Sequence, residues 1–157
     1  MNEQLTLQDI YRARQRIAGL TLRTPLVRSE SLSRRWNCEA WLKLDCLQPT
    51  GAFKLRGAVN ALLGLDAAQR RRGVVTMSTG NFGRALAYAG QHLGIPVRVC
   101  ISRLVPQNKV EALRQSGAEL VIHGEAQDEA DVEARRLRDE QGLAYVSPFD
   151  DPLVIAG

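Results

Sequence analysis

The stretch VVTMSTGNFGR, residues Val74–Arg84, decides the fold class of this chain of 157 residues. Its first four residues are apolar or β-branched and predict a buried strand, and the glycine-containing turn behind them opens a helix. Further strands are predicted at Pro96–Ile101, Glu119–His123 and Leu143–Val146, and a segment with helical signals lies between each strand and the next. Strands that alternate with helices in this way predict right-handed βαβ units, and therefore an α/β fold with a parallel sheet flanked by helices.

The predicted helices have recognisable start and stop signals. One opens after Gly80-Asn81 and ends at Gly94, a second runs from Pro106 to Gly117, and a third ends at Gly142. Proline near the first turn and glycine just past the last turn are typical of helix termini. The second half of the chain is therefore expected to be one regular α/β unit.

The first half of the chain has a less regular pattern. Thr6 and Asp9 resemble a capping pair that opens a helix ending at Gly19. Downstream of this helix the sequence predicts two extended segments and then another helix, at Thr24–Val27, Ala40–Cys46 and about Lys54–Leu65. No repeat or flexible linker separates this part from the α/β unit.

The composition excludes several classes of protein. With 45% hydrophobic residues, the chain is too apolar to be disordered. No stretch approaches the roughly 18 consecutive apolar residues of a membrane helix, and the N-terminus has no basic-then-apolar leader. The net charge of +4 includes one dense run, Arg70–Arg72, which lies where a helix should end and has no aromatic neighbours. We therefore expect a cytoplasmic protein without membrane or nucleic-acid partners.

The cysteines and histidines give no sign of a metal site or a disulfide framework. Cys38, Cys46 and Cys100 make an odd count without C-x-x-C spacing, which predicts reduced thiols buried as small apolar side chains. His92 and His123 are isolated from each other and from the cysteines. We expect no bound metal.

The segment TGAFKLRGA, Thr50–Ala58, places a lysine in the first turn of a predicted helix. Lys54 is one of only three lysines in the chain. The positive end of the helix and partial burial both favour a neutral amine, which is the form that Schiff-base chemistry requires. The alternative is an ordinary lysine whose stem packs while its ammonium is hydrated, and position alone leaves both interpretations open.

A second candidate site is the loop Ser78-Thr79-Gly80-Asn81, which follows a strand and opens a helix. Successive backbone N–H groups at such a turn can bind an anion, and the loop lies beyond the carboxyl end of a strand, where α/β sheets bind ligands. The loop is neither a G-x-G-x-x-G fingerprint nor a Walker A sequence. An equally weighted alternative is that Ser78 or Asn81 only caps the helix.

Together the two segments carry a family resemblance. QPTGAFKLRGA, Gln48–Ala58, followed by STGNFG, Ser78–Gly83, resembles the fold-type II pyridoxal-phosphate enzymes, and among them the threonine/serine dehydratase branch. The resemblance covers nearly the whole chain and is closest to the hydroxyectoine-utilisation dehydratases. It implies a three-layer α/β fold similar to the β subunit of tryptophan synthase.

The resemblance also implies roles for individual residues. Lys54 would bind pyridoxal 5′-phosphate covalently and act as the base at the substrate Cα, with Phe53 against the cofactor ring. Asn81 would hydrogen-bond the 3′-oxygen of the ring, and Ser78, Thr79, Gly80 and Asn81 would hold the substrate carboxylate. The implied reaction converts serine or threonine to a 2-oxo acid and ammonia.

Three positions depart from the family pattern. Ala52 stands where many relatives carry serine, Phe82 replaces the histidine that commonly follows the loop asparagine, and Thr79 replaces alanine. A serine at the position of Thr79 is an acid/base in related racemases, so side racemisation is conceivable.

The chain also ends at Gly157 before the glycine-rich phosphate loop and the ring-nitrogen partner of the family. We therefore expect the N-terminal half of a dehydratase: residues 1–55 from the large cofactor-binding domain, 56–150 as the small domain, and 151–157 as the start of the return. Full-length relatives are expected to be homodimers. The alternative function is a catalytically incompetent fragment or a small-domain binding module.

Overall fold

The computed structural model describes residues 5–157, and its centre is a four-stranded parallel sheet. The strands lie in the order β5-β4-β3-β6, with β3 at Val74–Met77, β4 at Val97–Ile101, β5 at Glu119–Ile122 and β6 at Ala144–Tyr145. The connecting helices are α5 at Asn81–Leu93, α6 at Gln107–Gln115 and α7 at Gln127–Gln141. The predicted α/β unit is confirmed, with element ends within about two residues of the helix and strand signals.

Alternate residues of the central strands face two different hydrophobic cores. Val74 packs with residues of α3, α5 and α6 on one face, whereas Val75 packs with α7 on the other face. All four residues of β3 are buried, as expected for a parallel strand covered on both sides. Helices on both faces of the sheet make the three-layer architecture that the family resemblance implies.

The first half of the chain forms helices around a small two-stranded ribbon. β1, Leu26–Arg28, pairs antiparallel with β2, Trp41–Lys43, and every residue of both strands is exposed. The helices are α1 at Leu7–Arg16, α2 at Glu30–Trp36, α3 at Lys54–Gly64 and α4 at Ala67–Arg72, and a 3₁₀ turn lies at Asp45–Leu47. The expected capping box of Thr6 and Asp9 opens α1.

Three elements are absent from the sequence prediction: α2, α8 and the 3₁₀ turn at Asp45–Leu47, which replaces the end of the extended segment predicted at Ala40–Cys46. α2 is only seven residues long and polar, so it has little periodicity to detect. α8, Pro152–Ala156, follows Asp151, whose carboxylate accepts hydrogen bonds from the backbone amides of Leu153 at 2.8 Å and Val154 at 3.2 Å. Asp151 is thus the N-cap of this short helix.

The cysteines differ from the expectation that all three are buried. Cys100 lies in the centre of β4 and is fully buried, but Cys38 and Cys46 are exposed. Cys38 lies between α2 and β2, and Cys46 lies in the 3₁₀ turn after β2, so both are close in sequence to the exposed ribbon. All three thiols are free.

Candidate active site

The sheet order places a switch point between β3 and β6. Strands β3, β4 and β5 are added one after another towards one edge, and the chain then returns to place β6 on the other side of β3. Ligands of open α/β sheets bind beyond the carboxyl ends of the strands at such a point. The loops that leave these two ends begin at Ser78 and Val146. The buried hydroxyl of Thr76 in β3 donates to the carbonyl of Val146 at 2.7 Å and so ties β3 to the start of the loop after β6.

Lys54 lies at this switch point. It is the first residue of α3 and half-buried, and its Nζ donates to the carbonyl of Pro148, in the loop after β6, at 3.0 Å. The same Nζ lies 5.4 Å from the ring centroid of Phe53 and 5.8 Å from that of Phe82, the second residue of α5. The amine is therefore held among one carbonyl and two aromatic rings.

The loop after β3 caps α5, and the backbone amides that follow the loop can still donate hydrogen bonds. The Ser78 hydroxyl accepts a hydrogen bond from the amide of Gly83 at 2.9 Å, and so caps α5 from outside the helix. Within residues 5–157, no group accepts a hydrogen bond from the amides of Asn81 and Phe82. These two amides remain available to an anion at the positive end of α5.

All the predicted site residues except Ser78 line one of two cavities. The Lys54 cleft, about 290 Å³, is lined by residues of the first turn of α3, of the loop after β6 and of the C-terminal segment: Phe53, Lys54, Arg56, Gly57, Pro148, Phe149, Val154, Ile155 and Gly157. The loop cavity, about 210 Å³, is lined by Thr79, Gly80 and Asn81 together with Arg84, Asn108 and Lys109. The structure thus places Lys54 with Phe53, and Asn81 with Thr79 and Gly80. Phe82, buried beside Asn81, is the residue of the loop region that reaches the amine.

An ion-pair network anchors the chain just before and after Lys54. Arg56 donates to Asp45 through two nitrogens, Nε to Oδ2 at 2.8 Å and Nη2 to Oδ1 at 2.9 Å. Thr24 also donates to Asp45, and the side chain of Gln48 makes two hydrogen bonds to the backbone of Leu22, at 3.0 and 2.9 Å. The hydrogen bonds from Arg56 hold the pKa of the Asp45 carboxyl well below its usual range.

Comparison with known proteins identifies the family. Residues 17–157 match the family model described as pyridoxal-phosphate dependent enzyme. The chain belongs to this family. It is 50% identical to a putative threonine dehydratase of Sinorhizobium fredii, over 100% of this chain and 48% of that protein. It is 40% identical to the L-threonine ammonia-lyase of Thermotoga maritima, over 98% of this chain and 38% of that protein.

Solved structures agree with the fold. A serine racemase from Dictyostelium discoideum matches with a TM-score of 0.89 at 33% identity, over 98% of this chain and 50% of that chain. The processed form of threonine deaminase isoform 2 from Solanum lycopersicum matches with a TM-score of 0.85 at 33% identity, over 97% of this chain and 43% of that chain. The fold-type II assignment is confirmed. The chain spans about half the length of the relatives it matches, or less.

The residues present fit pyridoxal phosphate. The primary amine of Lys54 opens onto a cleft that is also lined by Phe53, and Phe53 is 63% exposed. Within residues 5–157, the one buried side-chain N or O atom without a partner is the hydroxyl of Thr50, four residues before Lys54. An amine and a free aromatic face that open onto one cleft suit a planar aromatic aldehyde.

Several features of the site had no signal in the sequence. The carbonyl of Pro148 and the ring of Phe82 meet Lys54 only through the fold, and Asp45 precedes its partner by 11 residues across a turn. Charge patterning along helices does not reveal such a pair.

Among residues 5–157, no three His, Cys, Asp or Glu side chains group as metal ligands, and no helix is long and apolar enough to cross a membrane.

Proposed function

We propose that this chain holds pyridoxal phosphate on Lys54 and belongs to a dehydratase acting on a hydroxy amino acid such as threonine or serine. The observation that carries the proposal is the Lys54 amine at the switch point, 3.0 Å from the carbonyl of the loop after β6 and beside Phe82 of α5. The names of the relatives, threonine dehydratase and threonine ammonia-lyase, support the substrate class.

Each candidate site residue would have its own role in the reaction. When bound, pyridoxal phosphate supplies an electron sink for the negative charge that develops at the substrate Cα. The Lys54 amine would take the proton from the substrate Cα, and Phe53 would lie against the cofactor ring. Asn81 would hydrogen-bond the ring through its side-chain amide. The β-hydroxyl would leave as water with a proton supplied by the Lys54 ammonium. A second water then releases ammonia and leaves the 2-oxo acid.

The loop cavity supports binding of the substrate carboxylate. The free amides of Asn81 and Phe82 lie at the positive end of α5, and Arg84 and Lys109 add two cationic side chains to the cavity that contains Thr79 and Gly80. All four contributions favour an anion. Ser78 acts through its hydrogen bond to Gly83, which holds the loop in shape.

The test of this proposal is the site of covalent capture. The purified chain is mixed with pyridoxal phosphate, reduced with borohydride and mapped by peptide mass spectrometry. Because Lys54 is one of three lysines, Lys43 and Lys109 serve as internal references. We expect the adduct chiefly on Lys54, loss of that adduct in Lys54→Arg, and its retention in the control Lys43→Arg, because Lys43 is exposed and lines neither cavity. Equal labelling of the three lysines would contradict the proposal.

A second candidate function is a binding module without turnover. It is favoured by the share of the relatives that the chain spans, 48% and 38% of their length. Production of 2-oxobutanoate from threonine by the chain alone would exclude it. Capture on Lys54 without any 2-oxobutanoate would support it for the 157 residues in hand.

The remaining expectations about domains, assembly and location stay proposals. We propose that residues 1–55 belong to the large domain, 56–150 form the small domain and 151–157 begin the return to the large domain, and that the whole protein is a homodimer. A cytoplasmic location is supported by three free thiols, two of them exposed, which suit a reducing compartment.

A further inference from the structure

The first turn of α3 begins at the lysine without a side-chain cap. Phe53 is the N-cap residue and makes no capping hydrogen bond, and the turn contains Lys54 and Arg56 but no acidic residue. Two cations at the positive end of a helix are unfavourable. Something outside the helix must therefore hold this turn in place.

Asp45 supplies such a contact through its ion pair with Arg56. The two hydrogen bonds from Arg56, at 2.8 and 2.9 Å, have the paired geometry that fixes a guanidinium plane. The side chains of Arg56 and Asp45 are only 22% and 13% exposed, so water screens the pair weakly. Arg56 Nη2 also donates to the carbonyl of Leu22 at 3.2 Å and to the hydroxyl of Thr24 at 3.3 Å.

The anchor and the amine lie on opposite sides of one helical turn. Residues two apart on an α-helix point roughly 200° away from each other. Arg56 points to Asp45 and to the segment before β1, whereas Lys54 points to Pro148 beyond β6. The later residues of α3 are packed in the core, so fixing Arg56 holds the first turn, which carries the Lys54 amine, against the rest of the helix.

We propose that the ion pair between Asp45 and Arg56 positions the amine of Lys54. The inference rests on the proposed role of Lys54 and adds two positioning residues to it. Neither residue reacts. The pair holds the first turn of α3 so that the amine enters the cleft at the switch point.

The experiment measures how selectively pyridoxal phosphate is captured. After brief exposure and borohydride reduction, the ratio of adduct on Lys54 to adduct on the exposed Lys109 is determined for each variant below its unfolding temperature. We expect Asp45→Asn, which removes the partner of Arg56 without changing a residue that lines the cleft, to lower this ratio by about fivefold or more because the charged hydrogen-bonded pair is lost. The exchanged pair, Asp45→Arg with Arg56→Asp, is expected to recover part of the ratio.

The matched control is Glu133→Gln. Glu133 accepts two hydrogen bonds from Arg136, both 2.7 Å, its side chain is 9% exposed, and α7 contributes no residue to the Lys54 cleft. If both ion pairs were purely structural, Asp45→Asn and Glu133→Gln would lower stability and leave the ratio of adduct on Lys54 to adduct on Lys109 unchanged. If the Asp45–Arg56 pair positions Lys54, only Asp45→Asn should lower that ratio. If Asp45→Asn does not fold, Thr24→Val weakens the same pair and should lower the ratio by a smaller factor.

The outcomes separate this inference from the proposed function. A wild-type chain without preference for Lys54 overturns the proposed function and this inference with it. If the wild type prefers Lys54 and folded Asp45→Asn keeps this preference within about twofold, only the positioning role is overturned. An equal loss of the preference in Glu133→Gln also overturns it.

Discussion

At the scale of single residues, the environment of Lys54 is built from groups that do not titrate. One carbonyl and two aromatic rings, those of Phe53 and Phe82, lie around the amine. The charged Asp45–Arg56 pair lies on the other side of the turn. Acid sensitivity near the site should therefore originate in Asp45.

Asp45 gives a prediction about stability at low pH. Its folded-state pKa is depressed below the ordinary value of 3.8, so its contribution is present above that value and lost as the pH falls towards the folded-state pKa. Asp45→Asn should be about 1–2 kcal/mol less stable than wild type at neutral pH, and the difference should shrink as the pH falls from about 4 to about 2, because protonation then weakens the wild-type pair. Urea titrations at several pH values measure it.

The exposed ion pair of Asp139 provides the control for this prediction. Asp139 bonds Arg138 on the solvent face of α7, and its side chain is 63% exposed. Asp139→Asn should follow the wild-type pH dependence closely because water screens the pair. A parallel pH dependence of wild type and Asp45→Asn would show that the Asp45 pair does not stabilise the fold.

The three thiols should differ sharply in reactivity. Burial in β4 raises the pKa of Cys100 to about 12, and nearby carboxylates add to the shift, whereas Cys38 and Cys46 are exposed. The thiolate is the reactive form, so two thiols should react with a maleimide in the native chain and the third only on unfolding. Mass spectrometry counts the adducts, and Cys100→Ser should leave the native count at two. Rapid modification of all three would contradict the burial of β4.

At the scale of elements, α5 is held against the sheet by small residues. A Cβ added at Gly90 would lie 2.3 Å from Val97 Cγ2 and 2.7 Å from the carbonyl oxygen of Ile95. The close approach brings the helix onto β4, and it thereby sets the position of the loop that opens α5. The cap from Ser78 fixes the other end of the same helix.

Gly90→Ala should therefore destabilise the chain although alanine favours helices. The clash is expected to outweigh the gain in helix propensity and to lower the free energy of unfolding by about 1–2 kcal/mol. Gly19→Ala is the control because no atom lies within 4 Å of the added Cβ, and it should change stability by less than about 0.5 kcal/mol. Thermal unfolding followed by circular dichroism compares the two, and equal melting temperatures would refute the packing argument.

At the scale of the whole molecule, the strands in the two halves of the chain differ in how far helices cover them. The strands of the parallel sheet have helices on both faces, whereas every residue of the ribbon β1–β2 is exposed. Large apolar side chains on or near the ribbon, Leu26, Trp36, Trp41 and Leu47, are each more than half exposed. Apolar surface of this kind favours association.

Hydrogen exchange should reveal this difference. An isolated two-stranded ribbon is marginally stable, so amides of β1 and β2 should exchange well before those of β3 and β4, which open only when the core unfolds. Peptide-level exchange followed by mass spectrometry tests this at a protein concentration low enough to suppress association. Slow exchange in the ribbon, equal to that of β3, would contradict it.

Local signals are sufficient to predict most elements of the fold. Four apolar or β-branched residues predict the strand Val74–Met77, Gly94 and Gly142 predict the ends of α5 and α7, and Thr6 predicts the start of α1. These signals act within one turn or one strand, so they need no tertiary information. The short α2 and α8 depend on packing and capping, and the sequence pattern does not predict them.

The sequence by itself determined the alternation of strands and helices, the parallel sheet and the place of Lys54 in the first turn of a helix. Only the tertiary structure decided that Lys54 meets Pro148, 94 residues away, and that Arg56 turns to Asp45. The physical reason is that helix and strand signals act over a few residues, while these contacts depend on the strand order β5-β4-β3-β6. That order arises when the two faces of the sheet are buried together, and no short segment encodes it.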